Sequence, residues 1–473
     1  MEKYKKIYND YFTDDLPKTA RYIFLPHAGY QYSGFASWCA LAKVQWSKIK
    51  RVILLTTSHF IPYSMNGIRI TDKRYPNIII DGYSSLGSIL PTMTREQFIK
   101  EHSWQYLLPL FQSFCWPRSK LRIQIICVRD SLPDHVVQII RTDIESQKNT
   151  NTILVGNSDL SHINGHFTDK VRWMKDIMIQ DYKTLNSLLS QSLPENASSS
   201  ACGIGVIRVF LDIIGTLVLI PRLMCYYNCC QTNLLNYLSQ SISPDSLEST
   251  LFANPLQELD MNQGCVGYGS IVYYKNNSEI YPGNFSAYEQ YYMTHLSQNY
   301  LLHHQMRQPY ILPIPELISN QYNMGIFVTL TNKTTDELMG CIGTLQPIKG
   351  TLLYAIYYYT DQAAYHDSRF SKPPEISNME VEITLLFLNK LFPYITTMKA
   401  YPNHGLKLVS SMSGKQAFFL PSVREMLVER SSKPINHREI NEELIRMLRR
   451  KGNILENELI ELYLIPTKRL YGL

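Results

Sequence analysis

The chain has 473 residues, 45% of them hydrophobic, which at roughly 150 residues per domain predicts two or three domains with packed cores. Its 46 Lys+Arg against 40 Asp+Glu leave a formal charge of +6, and only 18% of residues are charged. These figures exclude a small disulfide knot and argue against a disordered chain or a dedicated nucleic-acid binder.

The opening segment, MEKYKKIYNDYFTDD, has no apolar core of signal-peptide length, so secretion is not expected. In chain order, residues 22–25, 52–56, 123–128 and 153–155 are short β-branched runs bounded by polar or turn residues, as buried strands are. Residues 37–44, 95–114, 135–146 and 170–189 are predicted helices. The alternation predicts right-handed crossovers and an α/β fold, a mostly parallel sheet with helices on both faces. Residues 204–224 are largely apolar, but Arg208, Asp212, Pro221 and Arg222 interrupt them, so a buried helix followed by a strand is expected and no membrane span. CVGYGSIVYY at 265–274 reads as a late strand, and the polar YKNNSEIYPGN as a linker that places a boundary within 275–285.

A predicted helix at 287–305 opens a second, α+β region, with strands at 325–330, 338–344, 381–386 and 404–410 and a helix near 352–366. Residues 426–473 read as a helical tail, because apolar positions recur at helical spacing among interspersed acids and bases. The expected organisation is a first domain over 1–275, a second over 286–425 and the tail. The nine cysteines are an odd, scattered set, read as reduced thiols of a cytoplasmic protein.

Chemistry-bearing residues gather where strands end. His27, in FLPHAGYQYSG, follows the first strand; His59, in LLTTSHFIPY, follows the second; Asp159 and His162, in VGNSDLSH, follow the strand at 153–155. Parallel strands have their carboxyl ends on one edge, so these side chains should converge on one crevice, which His102 in KEHSWQYLLP can join. One such histidine is ordinary loop chemistry. Three strand-end placements together point to a Zn, Fe or Cu site or a general acid/base pair. The run Gly203-Ile-Gly205 lacks the third glycine of a dinucleotide fingerprint, and there is no G-x-S-x-G elbow.

PHAGYQYSG at 26–34, TSHFIP at 57–62, EHS at 101–103, NSDLSH at 157–162, ACG at 201–203 and VGYGSIVY at 266–273 resemble, in order and spacing, the Memo family. That resemblance implies the fold of class III extradiol dioxygenases and a crevice where two histidines and a cysteine hold a metal. By motif the ligands are His27, His59 and Cys202, beside the candidate catalytic residues His102, Asp159 and His162, with Asp159 orienting His162 for proton transfer. Cys202 precedes a predicted helix whose N-terminus would favour thiolate; alone, it also reads as a small buried hydrophobe. Where the family reads EHSIEMHLP and CGRHPIG, this chain has EHSWQYLLP and CGIGVIR, so Gln105, Leu107, Ile204 and Gly205 depart from it.

GIFVTL at 325–330, LMGCIGTLQP at 338–347, DSRF at 367–370, MEVEITLL at 379–386, HGLKL at 404–408 and KQAFFLP at 415–421 resemble the AMMECR domain, whose hallmark is Arg-Gly-Cys-Ile-Gly. Met339 takes the arginine position, and Cys341 reads either as a nucleophile or as a packed strand residue. Both families also accompany a radical-SAM protein, a grouping called AmmeMemoRadiSam. Cys225 and Cys229 have Thr232 at the third position of CxxxCxxC, so no cluster motif of that kind is present. The resemblances together imply one bound metal ion, Fe(II) or Cu ahead of Zn, serving an oxidoreductase or dioxygenase-like reaction on a small, aromatic substrate. They also imply a radical-SAM partner, while composition and charge predict no role for nucleic acid or membrane. The alternative is a scaffold or peptide-binding module that uses the same crevice.

Overall fold

The computed structural model describes residues 2–12, 14–114, 120–146, 151–192, 201–229, 257–275, 283–305, 324–348, 350–370, 376–388, 392–393, 403–429 and 437–471. Two compact units divide between Tyr292 and Met293. Most of the expected linker at 275–285 lies outside the described residues.

The N-terminal unit runs α1 (Glu2–Tyr11), β1 (Tyr22–Leu25), α2 (Tyr30–Leu41), β2 (Arg51–Thr57), β3 (Met65–Asn66), β4 (Ile78–Gly82), α3 (Arg95–Lys100), α4 (Leu108–Phe114), β5 (Leu121–Val128) and α5 (Asp134–Glu145). It continues with β6 (Thr152–Asn157), β7 (His162–Ile163), α6 (Met174–Ser190), α7 (Ile204–Ile214), β8 (Leu219–Asn228) and β9 (Cys265–Lys275). Strands β4, β5, β2, β6 and β1 pair in parallel, in that order. The margins are antiparallel: β3 on β5, then β9 on β1 with β8 and β7 on β9. The sheet is therefore mixed, with a parallel centre. Strands β1 and β6 are buried at every position, which is why they read as continuous apolar runs and not as alternating ones. Helix α5 covers one face with Val136, Ile140 and Ile144, spaced at four residues.

Two helices differ from expectation. Helix α2 starts at Tyr30, because the Gly29 carbonyl already accepts from Tyr32 N and Ser33 N. The expected helix at 95–114 is two, α3 and α4. Thr94 and Gln97 form a capping box that starts α3. Glu101 then turns extended, and Gln105 Nε2 donates to the Ile99 and Glu101 carbonyls at 2.6 and 2.9 Å in place of helical backbone donors.

Helix α8 (Ala287–Gln305) contains the division between the units. The C-terminal unit continues with β10 (Met324–Asn332), β11 (Leu338–Thr344), α9 (Leu352–Tyr365), β12 (Met379–Phe387), β13 (Phe392–Pro393), β14 (His404–Ser410), β15 (Gln416–Phe419), α10 (Pro421–Glu429), α11 (His437–Lys451) and β16 (Ile460–Tyr471). Its sheet is antiparallel, in the order β11-β10-β12-β16-β14-β15, with β13 also on β16. The expectation of a helical tail over 426–473 is corrected here. Helices α10 and α11 are present, but β16 is an inner strand of the sheet, rich in the β-branched and aromatic residues that strands prefer. Pro466 conceals it in the sequence. It pairs with His404, and from Thr467 onward β16 pairs with β12, so the missing N–H falls where the strand changes partner.

Glu289 illustrates the cost of burying charge in the N-terminal unit. Its carboxylate accepts from Leu223 N and Ser286 N at 3.0 and 2.9 Å, with Arg222 Nε at 3.8 Å. Burial nevertheless wins over Arg222 and these donors and raises its pKa from 4.5 to about 7. A raised folded-state pKa means that the native state binds the proton more tightly. The resulting stabilisation is complete below about pH 4.5 and is lost as pH rises through about 7. Glu289→Gln should flatten this part of the pH dependence, read as hydrogen-exchange protection of β8 and β9 amides across that interval. An unchanged profile would assign the dependence to other groups.

Candidate metal centre

Parallel register builds the site. Leu25 lies opposite Asn157, and Leu55 opposite Gly156, so the residues just beyond β1, β6 and β2 come out side by side. His27 N and Ala28 N donate to Asp159 Oδ1 at 2.8 and 3.1 Å, which ties the first loop to the end of β6. His59 N donates to Glu101 Oε2 at 2.7 Å, which ties the loop after β2 to the break between α3 and α4.

Each ligand imidazole is aimed by an acceptor on Nδ1. His27 Nδ1 is 3.2 Å from Asn157 Oδ1, and His59 Nδ1 is 2.8 Å from Glu101 Oε1. Asn157 cannot flip freely, because its Nδ2 donates to Ser103 O at 3.1 Å while Thr56 Oγ1 donates to its Oδ1 at 2.9 Å. Both rings therefore carry Nδ1–H, and Nε2 is the nitrogen a cation would take, displacing the proton from His59. Cys202 Sγ lies 3.4 Å from His27 Nε2, and one ligand atom from each of His27, His59 and Cys202 falls within 4.8 Å of the others. Ligand atoms around a tetrahedral ion with bonds of about 2.0–2.3 Å are roughly 3.3–3.8 Å apart, a spacing that the His27–Cys202 pair matches.

Electrostatics follow from burial and from these contacts. Burial pulls His59 down, but its hydrogen bonds with Cys202 and Glu101 outweigh that and raise it to about 9. Burial pushes Glu101 up, but the side-chain and backbone donors of His59 outweigh it and hold the carboxyl at about 2. His102 stacks on His59 at 4.6 Å between ring centres and is shifted down, first by burial and then by the His59 charge. Burial pushes the Cys202 thiol up, with the His59 hydrogen bond acting against it. Cys202 directly precedes the N-cap Gly203 of α7, as expected, and the His59 hydrogen bond adds a pull toward thiolate.

Glycine at 203 brings Cys202 into place. A Cβ there would stand 2.3 Å from Thr57 Oγ1 and 2.7 Å from Ser158 Cβ, while Gly203 N donates to Ser158 Oγ at 2.8 Å. Asp159, His162 and Cys202 form a second converging set, and His59, Glu101 and His102 a third. All six residues singled out in the N-terminal half therefore meet in one crevice. Asp159 Oδ1 also holds the His27 turn. His162 Nδ1 faces the Leu160 carbonyl at 3.1 Å; a carbonyl only accepts, so this nitrogen donates and Nε2 is the basic side. Asp181 supports that segment by accepting from Ser161 N at 2.8 Å and from Tyr226 OH at 2.8 Å, and burial raises its carboxyl to about 6.

Glu101, Asn157 and Asp181 were not legible as functional residues. The first two lie inside the EHS and NSDLSH motifs, so a search for acceptors beside candidate ligands would have found them. In the other unit, Cys341 is a half-buried β11 residue whose Sγ lies 3.3 Å from Thr329 Oγ1 and whose N–H donates to Asp367 at 2.9 Å.

The family model described as Memo-like protein matches residues 2–239, and the one described as AMMECR1 matches residues 289–463. The chain belongs to the Memo-like protein family. An AMMECR domain is fused behind the Memo domain, and its match runs through α10 and α11 into β16, beyond the expected limit at 425. A protein of Aquifex aeolicus (strain VF5) is 40% identical over 79 residues, 16% of this chain; the chain spans 40% of that relative's length. The crystal structure of an uncharacterized protein from Pyrococcus horikoshii is 20% identical, with a TM-score of 0.30 over 38% of this chain and 89% of that one.

The departures from the Memo pattern have structural consequences. Leu107 is buried, and Gln105 caps the turn that presents Glu101. A Cβ at Gly205 would stand 2.1 Å from the Arg129 carbonyl, so no side chain fits there without moving the loop after β5. None of these positions supplies an acceptor to His27 or His59. Glu101→Gln is therefore expected to lower affinity for Fe(II) or Zn(II) by about 10- to 100-fold with the fold retained, measured by competition with a chelator. Unchanged affinity would remove Glu101 from the site.

Proposed function

We propose that the Memo domain holds one metal ion, Fe(II) or Cu ahead of Zn, on His27, His59 and Cys202, and catalyses an oxygen-dependent or redox reaction on a small aromatic molecule. The observation that carries this reading is the pair of Nδ1 anchors, Asn157 and Glu101, with His27 Nε2 3.4 Å from the Cys202 sulfur and a ligand atom of His59 within 4.8 Å of both. When bound, such an ion supplies Lewis acidity and, as iron or copper, electron transfer. The protein supplies the rest. Three ligands leave a coordination position open. His162, with Nδ1 committed to Leu160, presents Nε2 as a proton acceptor beside Cys202. Exposed Phe60 and Tyr106 each stand 5.7 Å from the His102 ring, and that aromatic rim suits stacking against a flat substrate.

The described cysteines are free thiols, in keeping with a reducing, cytoplasmic setting, and no helix of the described residues is long and apolar enough to cross a membrane. A small-molecule substrate and a radical-SAM protein as companion belong to the same reading, which rests there on the family grouping alone.

Metal content decides it. Purified protein should contain, or take up, one equivalent of Fe(II), Cu(I) or Zn(II), and His59→Ala or Cys202→Ser should weaken uptake at least about tenfold with circular dichroism unchanged. Protein that binds none of the three would overturn the reading and favour a peptide-binding crevice. His162→Ala should keep the metal and lower turnover by about 10²–10⁴-fold, the usual contribution of a positioned base. Loss of metal in that variant would make His162 a ligand instead.

A further inference from the structure

The C-terminal unit contains a half-open cavity of about 760 Å³. It forms where β10 and β11, at one edge of the sheet, meet β15 near the other: Phe327 and Phe418 face each other there at 5.9 Å between ring centres. Phe327, Ile342, Leu345, Phe418 and Val423 are among its walls, a largely apolar surface. Its polar groups are unevenly charged. Asp367 is neutralised by Arg369, whose Nε and Nη2 donate to its two oxygens at 2.9 and 2.6 Å, and the same Nη2 donates to the Cys341 carbonyl at 2.8 Å. The Arg369 guanidinium also interacts with the Cys341 side chain and lies 5.4 Å from the centre of the Phe370 ring.

Lys451, the last residue of α11, lines the same cavity. Its Nζ donates to the Phe418 carbonyl at 2.9 Å and lies 4.8 Å from the centre of the Phe419 ring. Among the described residues no carboxylate stands within ion-pair distance of it. The cavity thus has an apolar floor, one compensated ion pair and one uncompensated ammonium, with the Cys341 side chain in its wall. A neutral apolar ligand would leave the ammonium unmatched, and an organic cation would meet two positive groups. A carboxylate on an apolar body matches both features, because it can pair with Lys451 beside the Arg369 guanidinium without displacing Asp367.

We infer that this cavity is a binding site for a small amphiphilic carboxylate, anchored by Lys451 and Arg369 with its apolar part against Phe327 and Phe418. The inference rests on the C-terminal unit alone and does not depend on a metal in the other unit. Met339, the departure from the AMMECR hallmark, is not among the residues that line the cavity.

The test uses the full-length protein and phenylacetate as probe, with phenylethanol, phenylethylamine and inorganic phosphate as comparators, each titrated calorimetrically. Alkylation of Cys341 by iodoacetamide is followed in parallel by site-resolved mass spectrometry. Phenylacetate should bind saturably and slow Cys341 alkylation, and each comparator should bind at least about tenfold more weakly. Lys451→Glu, a substitution at an exposed position, should weaken phenylacetate about tenfold or more, the scale of one lost charge-assisted hydrogen bond. His59→Ala should leave both readouts unchanged, which separates this site from the metal crevice. Absent binding, equal binding of the amine or of phosphate, insensitivity to Lys451→Glu, or sensitivity to His59→Ala would each overturn the inference.

Discussion

The pairing of β1 and β2 with β6 is the constraint on which the rest of the Memo domain depends. A strand register is discrete, and a slip of one residue would exchange every buried side chain for its neighbour on the other face. With Leu25 opposite Asn157 and Leu55 opposite Gly156, Asn157 lies close enough to orient His27, and Asp159 close enough to accept from the loop carrying it. His27 is therefore placed by side chains that the register of the sheet centre brings beside it. A fold with a different register could retain every motif and still lack the site.

Glu101 extends this logic to an element outside the sheet. A carboxylate this buried is tolerated only where its lone pairs are filled, and here His59 N, His59 Nδ1 and Ser103 Oγ fill them. The interruption between α3 and α4 is what turns Glu101 inward. A continuous helix would have held its backbone in helical geometry, whereas the observed ψ of 116° is extended. Gln105 satisfies the carbonyls that the interruption leaves open. A local departure from helical periodicity is thus the means by which His59 acquires its anchor.

This explains which parts were legible beforehand. The parallel centre was readable because strands buried on both faces are written as uninterrupted apolar runs, and the strand-end histidines followed from topology. The break at Glu101 was not readable, since REQFIKEHSWQYLLPLF has apolar residues at spacings compatible with one helix and the interruption is set by tertiary partners. Strand β16 was missed for a related reason. The strong helical spacing of α11 dominates the tail, and Pro466 argues against an inner strand unless the change of partner from β14 to β12 is known. Cys341 could be placed on a strand, but its cavity is made by a sheet edge that approaches from about 75 residues away, and no local pattern records that.

The departures at 105, 107, 204 and 205 bear on what kind of change this Memo domain has undergone. The groups that aim the ligands, Asn157 and Glu101, belong to segments that keep the family pattern, and they are locked to Thr56 and Ser103 by further hydrogen bonds. The altered positions instead pack: Leu107 is buried, and Gly205 lies against the Arg129 backbone where no side chain fits. Leu107 and Gly205 are thus packing positions, whereas Gln105 braces the turn that carries Glu101. Ligand geometry and the polarity of the remaining crevice are physically separable here, because the first depends on strand register and buried acceptors and the second on side chains at the start of α7 and before α4. Leu107 and Gly205 therefore bear on the packing around the crevice, whereas the hydrogen bonds that aim His27 and His59 run through Asn157 and Glu101.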